Sequence, residues 1–172
     1  MPSDRRLIAI VFTDLAGFTE LAQADEPAAL RLLEEQSQIV RPLVELHRGR
    51  QVKAMGDGLL LEFPDTLDAV ECAVDLQRHV HERNAREPGR PLRMRVGVHL
   101  GDVQGVGDDI VGDSVNVASR IEPFAEVGGI CVSQPVHQSV RARVSYGFEP
   151  LGPRALKGVA ALERQYRRAR HK

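Results

Sequence analysis

The order of apolar segments and turn signals predicts an α+β fold of the ferredoxin-like, split βαβ type, β-α-β-β-α-β, with a small α/β appendage at the C-terminal end. A β-branched apolar segment at 7–13 precedes a long stretch whose apolar residues have helical spacing. An Asp between two glycines then separates two further apolar runs, and helix and strand signals follow again. We expect an antiparallel sheet with helices on one face, its other face free for a partner.

The first strand and the first long helix are predicted within residues 7–46. The segment 7–13 (LIAIVFT) is β-branched and ends at Asp14, which is typical of a central strand buried on both faces. From Pro27 to about Leu46 apolar residues recur at near-helical spacing, with Arg, Glu and Gln on the other side. Pro42 inside this pattern predicts that the helix is kinked or divided.

A hairpin and a second long helix are predicted next. In 51–63 (QVKAMGDGLLLEF) an Asp flanked by glycines lies between apolar runs, and such residues tolerate the positive φ of a tight turn. Asp65 or Thr66 can cap a helix that runs to about Arg86.

The second half of the chain continues the alternation. Residues 92–101 predict a strand, and the Gly- and Asp-rich stretch from 101 to 113 predicts a loop. The remaining elements are predicted in this order: a helix at Ser114–Ala125, a strand at 129–133, a helix from Pro135, and strands near Val144–Phe148 and Glu163–Tyr166.

Length and composition narrow the function classes. The chain has 172 residues, so we expect a single domain over 1–172. A net charge of -1 and 4% aromatic residues argue against nucleic-acid binding, including an RNA-binding module of similar fold. No apolar run approaches the roughly 20 residues of a membrane span, and no signal peptide is recognised, so we expect a soluble, cytoplasmic protein. Two cysteines far apart, Cys72 and Cys131, predict neither a zinc site nor a disulfide scaffold.

Two aspartates form the first candidate site. Asp14 ends the first strand and Asp57 lies at the tip of the hairpin, so both carboxylates could converge at one edge of the sheet. Paired carboxylates repel unless a cation joins them, and hard oxygen ligands suit Mg²⁺ or Mn²⁺. The turn Gly17-Phe18-Thr19 offers backbone N–H groups that can cradle phosphate oxygens. Taken singly, Asp14 reads as a helix cap and Asp57 as a turn residue.

A second group consists of Asp109, Asn116 and Arg120. Asn116 and Arg120 are four residues apart, so on a helix they lie one turn apart on one face. An amide and a guanidinium placed this way can orient a sugar and bind a phosphate. The alternative is a solvated helix face, with Arg120 paired to Glu122 or Glu126.

Other catalytic motifs are not found in the sequence. There is no P-loop, no complete GxGxxG and no GxSxG. His99, within a predicted strand, is interpreted as a packed or hydrogen-bonded residue.

Taken together, these segments resemble the catalytic domain of class III adenylate and guanylate cyclases, of the bacterial adenylate cyclase type. They run in the order of that family over nearly the whole chain: FTDLAGFT (12–19), KAMGDGLLLEF (53–63), RVGVHLGDV (95–103), DIVGDSVNVASR (109–120), GGICVS (128–133) and LKG (156–158). The set is far more specific than any one of its members. It implies an enzyme that converts ATP to 3′,5′-cyclic AMP and pyrophosphate.

The resemblance also implies a role for each candidate residue. Two divalent cations, Mg²⁺ or Mn²⁺, would be held by Asp14, Asp57 and the Leu15 carbonyl. Adenine would be read by Lys53, which donates to a ring nitrogen, and by Asp109, which accepts from the exocyclic amine. The remaining residues would bind the sugar and phosphates: Asn116 at the ribose, Arg120 at the α-phosphate, and Lys157 with the turn Gly17, Phe18 and Thr19 at the triphosphate.

In this family the metal aspartates come from one chain and the base-binding and transition-state residues from the other. The resemblance therefore implies a two-fold homodimer with shared active sites, and regulatory domains can lie elsewhere. Asp102 stands where vertebrate-type relatives have Arg, which implies that pyrophosphate is held mainly by Lys157 and backbone amides. Two alternatives remain open: a guanylate cyclase, and a catalytically silent module that binds nucleotide or a partner.

Overall fold

One mixed sheet organises the fold, as described by a computed structural model over residues 4–87, 89–151 and 159–162. Within these residues the strands are Arg5–Leu15 (β1), Arg50–Met55 (β2), Gly58–Phe63 (β3), Met94–Val106 (β4), Asp109–Val111 (β5), Ile130–Ser133 (β6), Phe148–Pro150 (β7) and Val159–Leu162 (β8). The helices are Phe18–Ala24 (α1), Glu26–Leu46 (α2), Thr66–Arg86 (α3), Asp113–Ile121 (α4) and Gln134–Val140 (α5), with a 3-10 turn at Glu122–Phe124.

The strand order is β2-β3-β1-β4-β6-β8-β7, and β5 pairs with the end of β4. Only β4 and β6 run parallel; the other pairs in the described residues are antiparallel. The elements β1 to β4 follow the predicted β-α-β-β-α-β order, with α2 and α3 as the two long helices, and the ferredoxin-like fold class is confirmed.

Strand β1 is buried on both faces, as its apolar sequence predicts. Ala9 and Val11 pack with residues of α2 and α3 in the main core, whereas Ile8 and Ile10 pack on the opposite side with Ala118 of α4. The opposite face is thus partly covered by α4, and is less open than the sequence predicts. The two faces differ because alternate residues of a strand point to opposite sides.

Pro42 does not divide α2, which runs without interruption over Glu26–Leu46. Val40, Leu43 and Val44 are buried on either side of the proline, and this packing offsets the lost backbone hydrogen bond. A short helix that was not predicted, α1, precedes α2. Asp25 separates the two and accepts a hydrogen bond from the Ala28 N–H at 3.1 Å.

The hairpin and the cap of α3 are confirmed. Gly56 has a φ of +62° and forms a two-residue turn with Asp57 between β2 and β3. Asp65 precedes α3, and its side chain accepts a hydrogen bond from the Leu67 N–H at 3.1 Å.

Three predicted boundaries are wrong. The stretch 101–113 is not a loop, because β4 continues to Val106 and turns through Gly107, at φ +60°, into β5. Helix α4 ends at Ile121 rather than residue 125, since Pro123 has no N–H to continue it. A strand occurs at Phe148–Pro150 rather than Val144–Phe148, and the one predicted at Glu163–Tyr166 lies outside the described residues.

No helix in the described ranges combines the length and apolar character needed to cross a membrane. Cys72 and Cys131 are buried free thiols.

Candidate active site

The structure brings Asp14 and Asp57 to one end of the sheet. The Leu15 N–H donates to Asp57 Oδ2 at 2.8 Å, so the turn carboxylate lies against the backbone next to Asp14. Gly58 makes this approach possible, because a Cβ there would lie 3.1 Å from the Thr13 carbonyl oxygen. Gln36 of α2 adds a hydrogen bond at 3.3 Å from its Nε2 to the Asp57 carbonyl.

This pair of carboxylates fits a divalent cation. Asp14 Oδ1 is a buried oxygen without a hydrogen-bond donor, and its nearest cation is Arg95, with Nη1 3.6 Å away. Hard oxygen donors of this kind suit Mg²⁺ or Mn²⁺. No group of three or more His, Cys, Asp or Glu side chains that could hold a metal occurs in the described part of the chain. Two carboxylates leave coordination positions for a backbone carbonyl and substrate phosphates, as Mg²⁺ prefers.

A third carboxyl group, Glu122, lies beside Asp14 and was missed by sequence reasoning. The residue is only 5% exposed. Burial raises the pKa of Glu122 to about 9, and the neighbouring carboxyl group of Asp14 adds to this rise. In the sequence Glu122 is only an acidic residue two positions after Arg120, and the alternative of a solvated helix face pairs that arginine with Glu122 or Glu126. Its carboxyl group instead faces Asp14.

The turn after β1 leaves N–H groups near these carboxylates. Gly17 has a φ of +78°, and α1 begins at Phe18 without a side-chain cap. The Ala16 N–H donates a hydrogen bond to the Arg93 carbonyl at 2.7 Å. A cavity of about 180 Å³ opens beside the turn, lined by Leu15, Ala16, Gly17, Phe18, Leu21, Leu32 and residues 90–93. Thr19 lies in the first turn of α1.

Lys53 and Asp109 meet at a second place, where β5 approaches β2. Lys53 Nζ lies 3.1 Å from Asp109 Oδ2, and the Ile110 N–H donates to Asp109 Oδ1 at 2.8 Å. The hydrogen bond from Lys53, followed by that from Ile110, lowers the pKa of the Asp109 carboxyl. Arg50 of β2 also contacts the hairpin formed by β4 and β5: its Nη1 donates a hydrogen bond to the Asp108 carbonyl at 2.9 Å.

Asn116 and Arg120 lie on α4, one turn apart, and both are exposed. Neither side chain makes a hydrogen bond or ion pair with the residues that the structure describes. The structure does not join them to Asp14 and Asp57 within one chain. The predicted residues therefore form separate groups: the aspartates, the Lys53–Asp109 pair, and the exposed α4 pair. Lys157 lies outside the described residues.

His99 is a packed residue, as the sequence predicts. Its Nδ1 is 2.8 Å from Ser133 Oγ, and burial lowers the pKa of its imidazole.

Comparisons with known proteins identify the family of the chain. Residues 2–167 match the family model of the adenylate and guanylate cyclase catalytic domain. A Rhizobium meliloti protein named "Putative adenylate cyclase 3" is 40% identical over 157 residues, which cover 90% of this chain and 27% of the relative. The chain thus spans about a quarter of that protein's length.

Solved structures give the same result. An adenylate/guanylate cyclase/hydrolase from Silicibacter pomeroyi is 33% identical, with a TM-score of 0.83 over 94% of this chain and 97% of that one. The guanylyl cyclase Cya2 is 28% identical, with a TM-score of 0.78 over 94% and 92% of the two chains. The chain belongs to the family of class III adenylate and guanylate cyclase catalytic domains.

Proposed function

We propose that this chain converts ATP to 3′,5′-cyclic AMP and pyrophosphate in active sites shared by two copies of itself. The observation that carries the choice of ATP is the pairing of Lys53 with Asp109. The proposed catalytic unit includes the whole chain, 1–172, and in a longer protein it would receive its regulatory input from other segments.

The adenine edge offers a ring nitrogen that accepts a hydrogen bond and an amine that donates one. Lys53 supplies the donor and Asp109 the acceptor at adjacent positions. Guanine presents an acceptor and donors in a different arrangement, so the same pair would have to exchange places to read it. Because a polar site left unpaired by the wrong base is costly, even one such pair discriminates strongly.

The chain's own residues would hold the triphosphate at the end of β1. Asp14, Asp57 and the Leu15 carbonyl would bind two divalent cations, and the N–H groups of Gly17, Phe18 and Thr19 would face phosphate oxygens. When bound, the cations lower the pKa of the ribose 3′-hydroxyl and neutralise the charge of the departing pyrophosphate. Lys157 would bind the phosphates as well.

Asn116 and Arg120 would act on the ribose and the α-phosphate. The Asn116 amide would hold the ribose so that its 3′-oxygen faces the phosphorus, and Arg120 would donate to the oxygens on which charge develops. Both side chains are exposed on one face of α4 and are therefore accessible to a nucleotide bound by a second chain.

The orientation of α4 supports a site shared between chains. Glu122 has helical backbone angles and faces Asp14. Arg120 lies two residues earlier, so its side chain is rotated by about 200° and points away from this chain's own aspartates. Large apolar side chains are exposed on the segments that carry the proposed site residues: Met55 beside the turn of Asp57, Val106 and Val111 in the β4–β5 hairpin, and Phe124 after α4. A dimer interface would cover them.

Guanylate cyclase is the second candidate, because the guanylyl cyclase Cya2 is 28% identical to this chain. The experiment is a cyclase assay with ATP or GTP, in Mg²⁺ or Mn²⁺, over a range of protein concentrations. We expect cyclic AMP as the main product, with a specific activity that rises with protein concentration. Faster cyclic GMP formation at equal nucleotide would identify a guanylate cyclase. Folded protein that makes neither product would leave a binding module as the interpretation.

A further inference from the structure

One polar residue, Gln36, lies on the buried face of helix α2, and it is 2% exposed. The other buried residues of this helix are all apolar: Ala28, Ala29, Val40, Leu43 and Val44. Gln36 Oε1 has no hydrogen-bond partner among the residues that the structure describes. A buried amide is costly unless it is hydrogen-bonded, so an apolar side chain of the same size would suit the packing better. The presence of a glutamine at this position therefore requires an explanation beyond packing.

The nitrogen of the same amide makes a contact that an apolar side chain could not make. Gln36 Nε2 donates a hydrogen bond to the Asp57 carbonyl at 3.3 Å. Asp57 lies in the two-residue turn that follows the last residue pair of the hairpin, Met55 with Gly58, so it is outside the pairing of β2 with β3. Gln36 thus connects this turn to a helix that packs in the main core.

Asp57 is held at two points. The Leu15 N–H donates to its carboxylate at 2.8 Å, and Gln36 donates to its backbone carbonyl. Gly56 and Gly58 flank the aspartate, and glycine restricts the backbone less than any other residue. The turn is therefore not rigid by itself, and the two hydrogen bonds fix both the backbone and the side chain of Asp57.

We propose that Gln36 is a positioning residue, which holds the turn of Asp57 in the conformation that binds the divalent cation. The inference rests on the proposed function, because it presumes that Asp57 is a metal ligand. Gln36 acts through the backbone of Asp57 and is not itself a ligand. The loss of a group that orients a metal ligand typically weakens metal binding by about 10- to 100-fold.

Gln77 of helix α3 provides a matched control. It is also 2% exposed, and its Oε1 also has no hydrogen-bond partner in the described part of the chain. Its Nε2 donates to the carbonyls of Met94 and Gly129 at 2.9 and 3.0 Å, neither of which is a proposed ligand. Replacing either glutamine with methionine removes the same kind of contact at the same degree of burial, but only Gln36 contacts Asp57.

The test compares Mn²⁺ binding by Gln36→Met, Gln77→Met and the unaltered chain. Binding would be measured from the electron paramagnetic resonance signal of free Mn²⁺, without nucleotide, so that only ligands from the protein contribute. Thermal unfolding would show that each variant is folded. A methionine variant that does not fold is replaced by leucine at the same position.

We expect Gln36→Met to bind Mn²⁺ about tenfold more weakly than the unaltered chain. Gln77→Met should bind it within about twofold of the unaltered chain, even if both variants unfold at a lower temperature. Unchanged affinity in Gln36→Met, or an equal loss in the two variants, would overturn the inference, because Gln36 would then act on stability alone.

The cyclase assay gives a second readout. Gln36→Met should raise the Mn²⁺ concentration that gives half-maximal activity by about the factor by which binding weakens, and saturating Mn²⁺ should restore most of the rate. A loss of rate that saturating Mn²⁺ does not restore would contradict a role in metal binding.

Asp57→Asn separates a failure of this inference from a failure of the proposed function. If Asp57→Asn leaves Mn²⁺ binding unchanged, Asp57 is not a ligand and both proposals fail. If Asp57→Asn abolishes Mn²⁺ binding while Gln36→Met does not weaken it, Asp57 is a ligand and only the role of Gln36 is wrong.

Discussion

Lys53 Nζ lies 3.1 Å from Asp109 Oδ2, so a cation on β2 and an anion on β5 meet although 56 residues separate them. The contact exists because β4 turns back into β5 at Gly107 and carries Asp109 to the edge of the first hairpin. It places a hydrogen-bond donor and an acceptor side by side, where the edge of a purine could replace the ion pair.

Replacing Lys53 with Met should lower kcat/KM for ATP by roughly 10- to 100-fold, since a hydrogen bond from a charged donor contributes about 1.5–3 kcal/mol. Initial rates of cyclic AMP formation at a series of ATP concentrations would measure kcat/KM for the variant and the unaltered chain. Arg50→Met is the control, because Arg50 donates a hydrogen bond to the β4–β5 hairpin but is not proposed to contact the base. A variant at residue 53 that keeps full activity with ATP would contradict the proposed base contact.

Arg120→Ala should lower kcat by about 10²- to 10³-fold, the usual effect of removing one group that stabilises transition-state charge. The thermal unfolding temperature should change little, because the Arg120 side chain is exposed and makes no contact in the described structure that the fold needs. A matched variant at another exposed position of the same helix, Ser119→Ala, should stay active.

Mixing two inactive variants tests whether the site is shared. Arg120→Ala and Asp57→Asn remove residues that would belong to opposite halves of each site. In a mixed population about half of the dimers are heterodimers, and each contains one intact site, so roughly a quarter of the normal activity should return. If mixing restores no activity, while size-exclusion chromatography shows that the variants exchange partners, the sites lie within single chains.

Asp57→Asn should abolish metal-dependent cyclase activity, with a loss of at least about 10²-fold, and leave the fold intact. Asparagine keeps an oxygen that can accept the Leu15 N–H, so the bond that holds the turn to β1 can persist. Circular dichroism would check the fold. Chelation with EDTA should also stop the unaltered enzyme, and added Mn²⁺ should restore it.

Asp65→Ala should lower the free energy of unfolding by about 1 kcal/mol, because the side chain caps α3. Asp65→Asn should lose much less at neutral pH, since asparagine caps a helix as well as aspartate does. Urea unfolding of the two variants would measure the difference. Equal losses would show that the charge at residue 65, rather than the cap, carries the effect.

The charge of Asp65 should appear in the pH dependence of stability. The hydrogen bond from Arg143, followed by that from Leu67, lowers the pKa of Asp65 in the folded chain. The stabilisation is therefore present above the unfolded pKa, about 3.9, and is lost as the pH falls through the lower folded value. The effect is small because the ion pair is exposed. Asp65→Asn should lack this acid-dependent part in unfolding experiments between neutral and acidic pH.

Gly97→Ala should destabilise the chain by about 1–3 kcal/mol, because its Cβ would meet the Glu122 backbone, which cannot move without shifting the end of α4. Gly105→Ala in the same strand is the matched control. There the new Cβ would meet the end of the Asp4 side chain, which can rotate away. Chemical denaturation of both variants would show whether the contact at Glu122 is as rigid as the geometry indicates.

Much of the site could be predicted from the sequence because its residues stand in local patterns. The Asp between two glycines predicted both the hairpin and the position of Asp57, and the spacing of Asn116 and Arg120 placed them on one helix face. The proximity of Asp14 to Asp57 followed from the expected pairing of β1 with the hairpin. The chemical roles of these residues stay predictions until the assays above are done.

Other features could not be predicted because they depend on contacts between distant segments. The stretch 101–113 has the glycine content of a loop, and only its pairing across Gly107 makes it a hairpin that reaches Lys53. Pro42 was expected to disturb α2, but burial of its neighbours against the sheet outweighs one lost hydrogen bond. In each case the local conformational propensity of the residues contributes little free energy, and packing decides between loop and hairpin or between a broken and a continuous helix.

The sequence by itself determined the fold class, the order of β1 to β4 with their two long helices, and the family, because apolar periodicity, turn residues and short motifs are local patterns. Only the tertiary structure decided that Glu122 lies buried beside Asp14, that α4 packs on part of the second face of the sheet, and that Arg120 is exposed on α4. The physical reason is that burial and orientation arise when distant strands pair, as β1 and β4 do through Asp14 and Arg95, which are 81 residues apart. That pairing cannot be predicted from a local pattern of side chains.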